Sequence, residues 1–373
     1  MKTSKYILLV ITFLVPVIFI LTGCDKDTDG PDNKITPVWT YDTGEDPYQS
    51  TPCVTGDKVI VCTTPADDDD NSKAGTHCIN RNTGALIWKV NDSVTEMVTS
   101  PIIYNNLILE GGLNPHARRV SDGGVEWKYV DEFLKVSMYS NPLLVGDAAY
   151  FACMFHIVKV NAASGAELWQ TQGLYNNLRL AGPVFKNGRI YYADGSYNKV
   201  TAFFEDSGQV EWDLAFEGAF ANKPLVTDNE LFVGIQDSDI NTKTLRCINL
   251  SDKSEKWGVK LGSVVADLTL NDGKIYAIGL QRLHCRSAAD GSEIWHHDLV
   301  AGAVSEPLVV GDKLIVGYGK GLICLNASTG AVNWDYKSGG SNQTIYGFST
   351  PTLEGDHIYV SCSDGKVYCF KIN

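Results

Sequence analysis

The residues best able to do chemistry in this 373-residue chain are its ten cysteines and the histidines beside them. His77-Cys78 and His284-Cys285 each put a nitrogen next to a sulfur, the donor types that soft divalent metals favour. Spacing argues against a metal in each case. No Cys-x-x-Cys pair occurs, so the paired-ligand signature of a closed zinc site is missing. His296 and His297 are neighbours on a predicted strand, where successive side chains point to opposite faces and cannot easily share one ion. Asp67 to Asp70 reads as a solvated acidic loop, with a weak cation site as the alternative. Asp25, Asp27, Asp29 and Gly30 imitate the start of a calcium loop, but Thr36 stands where its bidentate Glu is needed. Neither a Gly-x-Ser-x-Gly elbow nor a Gly-x-x-x-x-Gly-Lys loop is present. We expect no metal, no cofactor and no catalytic residue.

The elements that position these residues follow from the tryptophans. Trp39, Trp88, Trp127, Trp169, Trp212, Trp257, Trp295 and Trp334 recur at spacings of 49, 39, 42, 43, 45, 38 and 39, and a period near 40 marks a repeat architecture. Most are preceded by a turn glycine four residues earlier, as in Asn82-Thr83-Gly84, Ala163-Ser164-Gly165 and Thr329-Gly330. Such turns between apolar runs are hairpins, because Asn, Asp and Gly accept positive φ. Each unit opens on a lead-in such as Ser100-Pro101, Asn141-Pro142 or Glu306-Pro307, then runs through three strands and the turn to its Trp strand. There are eight lead-ins, from Ser50-Thr51-Pro52 to Thr350-Pro351.

Two irregularities fix the topology. Val38 to Tyr41 is a Trp strand with no strands of its own before it, while the last unit, Ser349 to Asn373, stops before its Trp strand. An open solenoid would leave both edges unpaired. A closed ring satisfies both, so the sequence predicts an all-β, eight-bladed β-propeller of four-stranded antiparallel blades, closed by the N-terminal strand pairing with the C-terminal blade. In that ring Cys78, Cys247, Cys285, Cys324 and Cys369 occupy one position in successive blades, and Cys62, Cys153 and Cys362 another. Equivalent positions are held apart, so small apolar residues buried between blades are expected, with one intrablade disulfide as the alternative. The same logic separates His77 from His284.

Residues 1–24 read as an export address. Lys2 and Lys5 precede an apolar run from Tyr6 to Ile20 that is short for a spanning helix and contains Pro16. Residues 25–36 are a polar, acidic tether that reaches about 20 Å as a flexible chain. Residues 37–373 are one domain. The net charge of −13 argues against a nucleic-acid partner.

Leu21-Thr22-Gly23-Cys24 resembles the lipobox of bacterial lipoproteins, which implies that Cys24 is diacylated and anchors the chain to a membrane. The acidic residues after it resemble surface-export signals in Bacteroidetes, or an inner-membrane retention signal in enterobacteria. The Ala-x-x-Gly-x-x-x-Trp pattern in Ala162 to Trp169 and Ala327 to Trp334 resembles the repeat of quinoprotein-type propellers. With the leader and eight units, the chain is similar to the BamB family. That resemblance implies a noncatalytic, monomeric scaffold at the outer membrane that holds a protein partner of the assembly machinery. A BamB-family loop carries a Leu-x-Leu-Arg pattern that engages this partner; Leu178-Arg179-Leu180 stands at a similar distance after Trp169, with its Arg between the leucines.

Two rival readings remain. A surface lipoprotein could bind glycans through Tyr48, Phe133, Tyr139, Tyr175, Tyr346 and Phe348. A relative of the quinone (PQQ)-dependent dehydrogenases would carry adjacent cysteines and long insertions, neither of which this chain has. The residues before the lead-in prolines should ring one mouth of the channel. Most are small or neutral, but Lys223, Asp267 and Glu306 in three consecutive units form a charged arc there, either a solvated ion pair or a patch that orients a partner.

Overall fold

Each tryptophan lies on the outermost strand of a four-stranded antiparallel sheet, and eight such sheets form the domain. The computed structural model describes residues 35–46, 50–64, 75–91, 99–131, 138–152, 156–171, 182–195, 198–218, 220, 222–237, 242–262, 267–279, 281–299, 305–319, 321–338 and 347–372. Blade 1 comprises Cys53–Thr55, Lys58–Thr63, Gly75–Asn80 and Leu86–Asn91. Blades 2 to 7 repeat this order within 102–128, 143–170, 184–215, 225–259, 269–298 and 308–337. Blade 8 joins Thr352–Glu354, His357–Cys362 and Lys366–Lys371 to Pro37–Asp42 from the other end of the chain.

Burial follows position in the blade. Second strands such as Lys58–Thr63 and Lys313–Tyr318 are buried on both faces because the sheet is covered by a blade on each side. Fourth strands alternate: Val125–Lys128 buries Trp127 and exposes Val125, Glu126 and Lys128, as an edge strand half in solvent must. The apolar core lies in the seams between neighbouring blades. One seam packs Trp39, Tyr359, Val367 and Cys369 of blade 8 against Val59, Val61 and Ile79 of blade 1, and the next packs Phe370 and Tyr368 against Ile315 and Cys324 of blade 7.

The ring is closed as expected. Trp39 pairs with Cys369, Thr40 with Tyr368 and Tyr41 with Val367, and the Thr43 amide and hydroxyl both donate to the Gly365 carbonyl, at 2.9 and 2.8 Å. On the channel side, the Thr352 hydroxyl donates to the Pro52 carbonyl at 2.5 Å, which ties blade 8 to blade 1.

Every blade carries a register shift one residue before its tryptophan. Opposite Ile79 and Cys78 stand Leu86 and Trp88, so Ile87 is extra; the same break precedes Trp127, Trp169, Trp212, Trp257, Trp295 and Trp334. The N-terminal strand repeats it, with Val38 extra between Pro37 and Trp39. A bulge re-aims the next side chain, here the indole toward the adjoining blade. It also accounts for exposed Val38, Ile87, Leu168 and Ile294, each the bulged residue itself.

The third-strand cysteines fall where the repeat places them, but Cys62 and Cys362 do not share one place: Cys62 lies two residues past Ile60, the partner of Cys78, and Cys362 three residues past Tyr359, the partner of Cys369, while Cys153 lies outside the described residues. Cys369, Cys78, Cys247, Cys285 and Cys324 each sit directly across from a tryptophan, and Ala117 and Ala202 fill that place in blades 2 and 4. A small residue there leaves room for the ring; blade 3 differs, with Lys159 across from Trp169 and its ammonium 6.0 Å from that ring. The eight described cysteines are free thiols. Burial pushes Cys78 and Cys247 up to about 12 and Cys285, Cys324 and Cys369 up to about 11, which keeps them protonated and unreactive.

Candidate functional site

Chain direction divides the propeller into two faces. Residues before each inner strand, and the connections from second to third strand and from one blade to the next, lie on what we call the mouth face. The tight turns lie on the other, the turn face. Lys223, Asp267 and Glu306 fall on the mouth face.

There the residues before the lead-in prolines are linked from blade to blade. The Thr51 amide donates to Ser100 Oγ at 2.9 Å, and the Ser100 amide to Asn141 Oδ1 at 2.7 Å. Across the ring the Lys223 amide donates to Asp267 Oδ1 and the Glu306 amide to Thr350 Oγ1, both at 2.9 Å. The polar side chain of one blade therefore satisfies the first amide of the blade before it, which explains why Ser, Asn, Asp and Thr recur at this position.

The structure brings Lys223, Asp267 and Glu306 together. Lys223 Nζ lies 3.2 Å from Asp267 Oδ2 and 3.0 Å from Glu306 Oε2, bridging blades 5, 6 and 7. Partial burial disfavours its charge, but the two carboxylates outweigh that and hold the ammonium above its ordinary range. All three side chains remain about one-third exposed, so they are both a structural clamp and reachable from solvent at the channel mouth.

Sequence reasoning missed a second set of charges beneath the same face in blades 8, 1, 2 and 3. Buried Glu45 accepts from Lys89 Nζ at 2.5 Å and lies 3.4 Å from His77 Nε2, whose Nδ1 is 3.0 Å from the Tyr41 hydroxyl. Buried Glu110 meets His116 Nε2 at 2.7 Å, Arg118 Nε at 3.0 Å and the Thr76 hydroxyl at 2.8 Å. His156 pairs with Asp131 at 3.0 Å. The available signal was positional: Glu110 ends a second strand, His116 begins a third strand and His77 is the third residue of another, all toward the mouth end. These groups pair with one another rather than converge on a vacant point, and among the described residues no group of three or more His, Cys, Asp or Glu could hold a metal. His284 is buried in blade 6, far along the ring from His77. Burial, then the charges of Arg286 and Arg282, pull it down to about 4, so it stays neutral.

At the outer edge of the mouth face a groove of about 680 Å³ runs between blades 4 and 5, lined by Phe216, Glu217, Lys243, Arg246 and Glu255. The Arg246 guanidinium lies 5.9 Å from the Phe216 ring.

One expected residue is misplaced. Phe348, read as a loop aromatic open to a sugar, is fully buried against Tyr336 and Tyr368, because its backbone bridges back onto Cys362. Tyr139 lies on a short strand, Met138–Tyr139, that pairs with Gly112–Leu113 and had no counterpart in the repeat reading. Cys24, Asp67 to Asp70, Leu178 to Leu180, Tyr48, Phe133, Tyr175 and Tyr346 lie outside the described residues.

Residues 35–172, 153–260 and 241–373 match the family described as outer membrane protein assembly factor BamB. A curated member from Shewanella oneidensis is 27% identical over 189 residues, covering 50% of this chain and 39% of that protein. The chain thus spans about two fifths of the length of that curated relative. Among solved structures, BamB from Moraxella catarrhalis superposes with a TM-score of 0.69 at 16% identity, covering 91% of this chain and 98% of that one. Quinohemoprotein alcohol dehydrogenase from Comamonas testosteroni superposes at 0.68 and 11% identity, covering 91% and 76%. The computationally designed Ika8 protein does so at 0.67 and 14%, covering 89% and 100%. At these identities the superpositions show a shared fold.

Proposed function

Since this chain belongs to the family of outer membrane protein assembly factor BamB, we propose that it is a noncatalytic propeller, tethered by a lipid on Cys24, whose mouth face holds a protein of the outer-membrane assembly machinery. The observation that carries this reading is the family match, which runs through all eight blades. The mouth face supplies the chemistry. It presents the Lys223–Asp267–Glu306 arc and the Phe216–Arg246 groove, a mixture of paired charge and aromatic surface suited to a polypeptide. Thr171 and Gly182, the described residues between which Leu178 to Leu180 lie in sequence, are both on this face.

Quinone-dependent oxidation is not part of the proposal, since the quinohemoprotein likeness is one of fold. A glycan-binding mouth loses support with Phe348 buried in the core.

The test is site-specific photo-crosslinking in intact cells. A photoreactive residue at Glu306 on the mouth face, or at Arg179, should capture an outer-membrane assembly protein, while one at Gly146 or Ser207 on the turn face should not. Capture only from the turn face, or capture of unrelated proteins from both, would defeat the reading.

A further inference from the structure

The seam between blades 4 and 5 breaks the rule that holds six other seams shut on the turn face. In six seams the indole N–H donates to a backbone carbonyl in the next blade's turn: Trp39 to Arg81, Trp88 to Val120, Trp127 to Ala162, Trp169 to Glu205, Trp257 to Ala288 and Trp295 to Ala327, at 2.8 to 3.1 Å. In each, a turn glycine lies flat under the ring. Blade 8 has no such turn, because its fourth strand comes from the other end of the chain, so Trp334 has none to meet. Trp212 does have a turn to meet, yet the equivalent of the glycine there is Lys253, held at φ 63° in the left-handed region that a side chain disfavours.

Lys253 takes the place that the indole would occupy. Its ammonium donates to the Leu250 carbonyl, the acceptor equivalent to those above, and lies 4.6 Å from the centre of the Trp212 ring. Tyr191, at the same register as Tyr276, would have the same target: the Tyr276 hydroxyl donates to the carbonyl of Ala327 in the next turn at 3.0 Å. Instead the buried Tyr191 and the Trp212 indole N–H have no hydrogen-bond partner among the described residues, and both border an open groove of about 540 Å³. Two polar donors thus face the groove side by side without a protein partner, behind a residue at positive φ, and are free to donate to a molecule seated there.

We propose that this groove is a binding site for a neutral, hydroxyl-rich ligand, a sugar residue of a glycan, whose oxygens accept from Trp212 Nε1 and the Tyr191 hydroxyl. The charge pattern selects the class. Arg189 is already bidentate on Glu211 at 2.9 and 2.8 Å, and Asp228 is held by Lys186 at 2.8 Å. An anion would face both carboxylates, and a cation would face Arg189 and Lys253. Hydroxyl groups, which donate and accept, suit both. The site is on the face opposite the proposed protein partner, so the two readings stand or fall separately.

The test uses the ¹⁵N-labelled domain and its indole N–H resonances, that of Trp212 being identified by its loss in Trp212→Phe. Glucose, galactose, mannose and N-acetylglucosamine are titrated in turn. At least one should shift the Trp212 resonance saturably. Lys253→Gly restores the repeat, returns Leu250 to the indole and should weaken that binding at least tenfold without loss of fold. The proposal is overturned if no sugar moves the resonance, if Lys253→Gly binds as well as the parent, or if sodium phosphate or acetate moves it while the sugars do not.

Discussion

The indole of Trp39, at the start of the folded domain, lies so close over Gly84 of blade 1 that a Cβ at the glycine would stand 2.8 Å from the ring. With the bond from its N–H to Arg81, this makes the N-terminal strand an integral part of two blades.

Truncation should expose that role. Removing residues 25–34 should leave the melting temperature unchanged, whereas removing 25–42 should lower it by about 10 °C or more, given about 3–5 kcal/mol for a buried Trp alone. Thermal melts of both variants decide it; equal melting temperatures would rule out closure by this strand.

Glycines of the two turn types should respond differently. Gly146 has φ 56° and open space around its missing Cβ, so Gly146→Ala should cost about 1 kcal/mol, from backbone strain alone. Gly165 has φ 70° and would place a Cβ 2.5 Å from Trp127, so Gly165→Ala should cost about 3 kcal/mol or more. Urea denaturation of the two variants measures the difference.

The mouth clamp makes a distinction between isosteres. Asp267→Asn keeps an acceptor for the Lys223 amide and should change stability by less than about 0.5 kcal/mol, since its ion pair is partly exposed. Asp267→Ala leaves that amide unpaired and should cost about 1–2 kcal/mol. Similar losses for both would show that the amide bond contributes nothing.

Acid should act through Glu110. Burial pushes its carboxyl up, but the hydrogen bond and charge of His116, the charge of Arg118 and the Thr76 hydroxyl more than reverse this, bringing it from 4.5 to about 2. Because the folded value lies below the ordinary one, the stabilisation is complete above pH 4.5 and is lost as the pH falls through 2. The gap corresponds to about 3 kcal/mol. The stability advantage of the parent over Glu110→Gln should shrink by about that amount between pH 6 and pH 2 in urea titrations; a constant difference would contradict it.

Much of the ring was legible because a repeat multiplies every signal. Eight tryptophans, eight lead-ins and one displaced strand determined blade number and closure, and the shared position of Cys78, Cys285 and Cys324 foretold their burial. What stayed hidden depends on contacts between repeats. Gly84 precedes Trp88 in sequence but lies under Trp39, and nothing in the spacing says so. The bulge before each tryptophan leaves no mark except an apolar residue such as Ile87 in solvent. The charges of Glu45 and Glu110 recur in no other blade, so periodicity could not flag them. The mouth arc was found for the opposite reason, since Lys223, Asp267 and Glu306 broke a pattern that the other blades kept.

The closing strand also sets a clock. Trp39 is synthesised before blades 1 to 7 and its partner Cys369 after them. Blades 1 to 7 are contiguous in sequence and can form as their residues emerge, but blade 8 must wait for the last strand to arrive. Until then both ends of the arc carry unpaired backbone, open to a strand from another chain. The final step of folding is therefore a single long-range capture, and it is there that a helper which shields strand edges would have its greatest effect on yield.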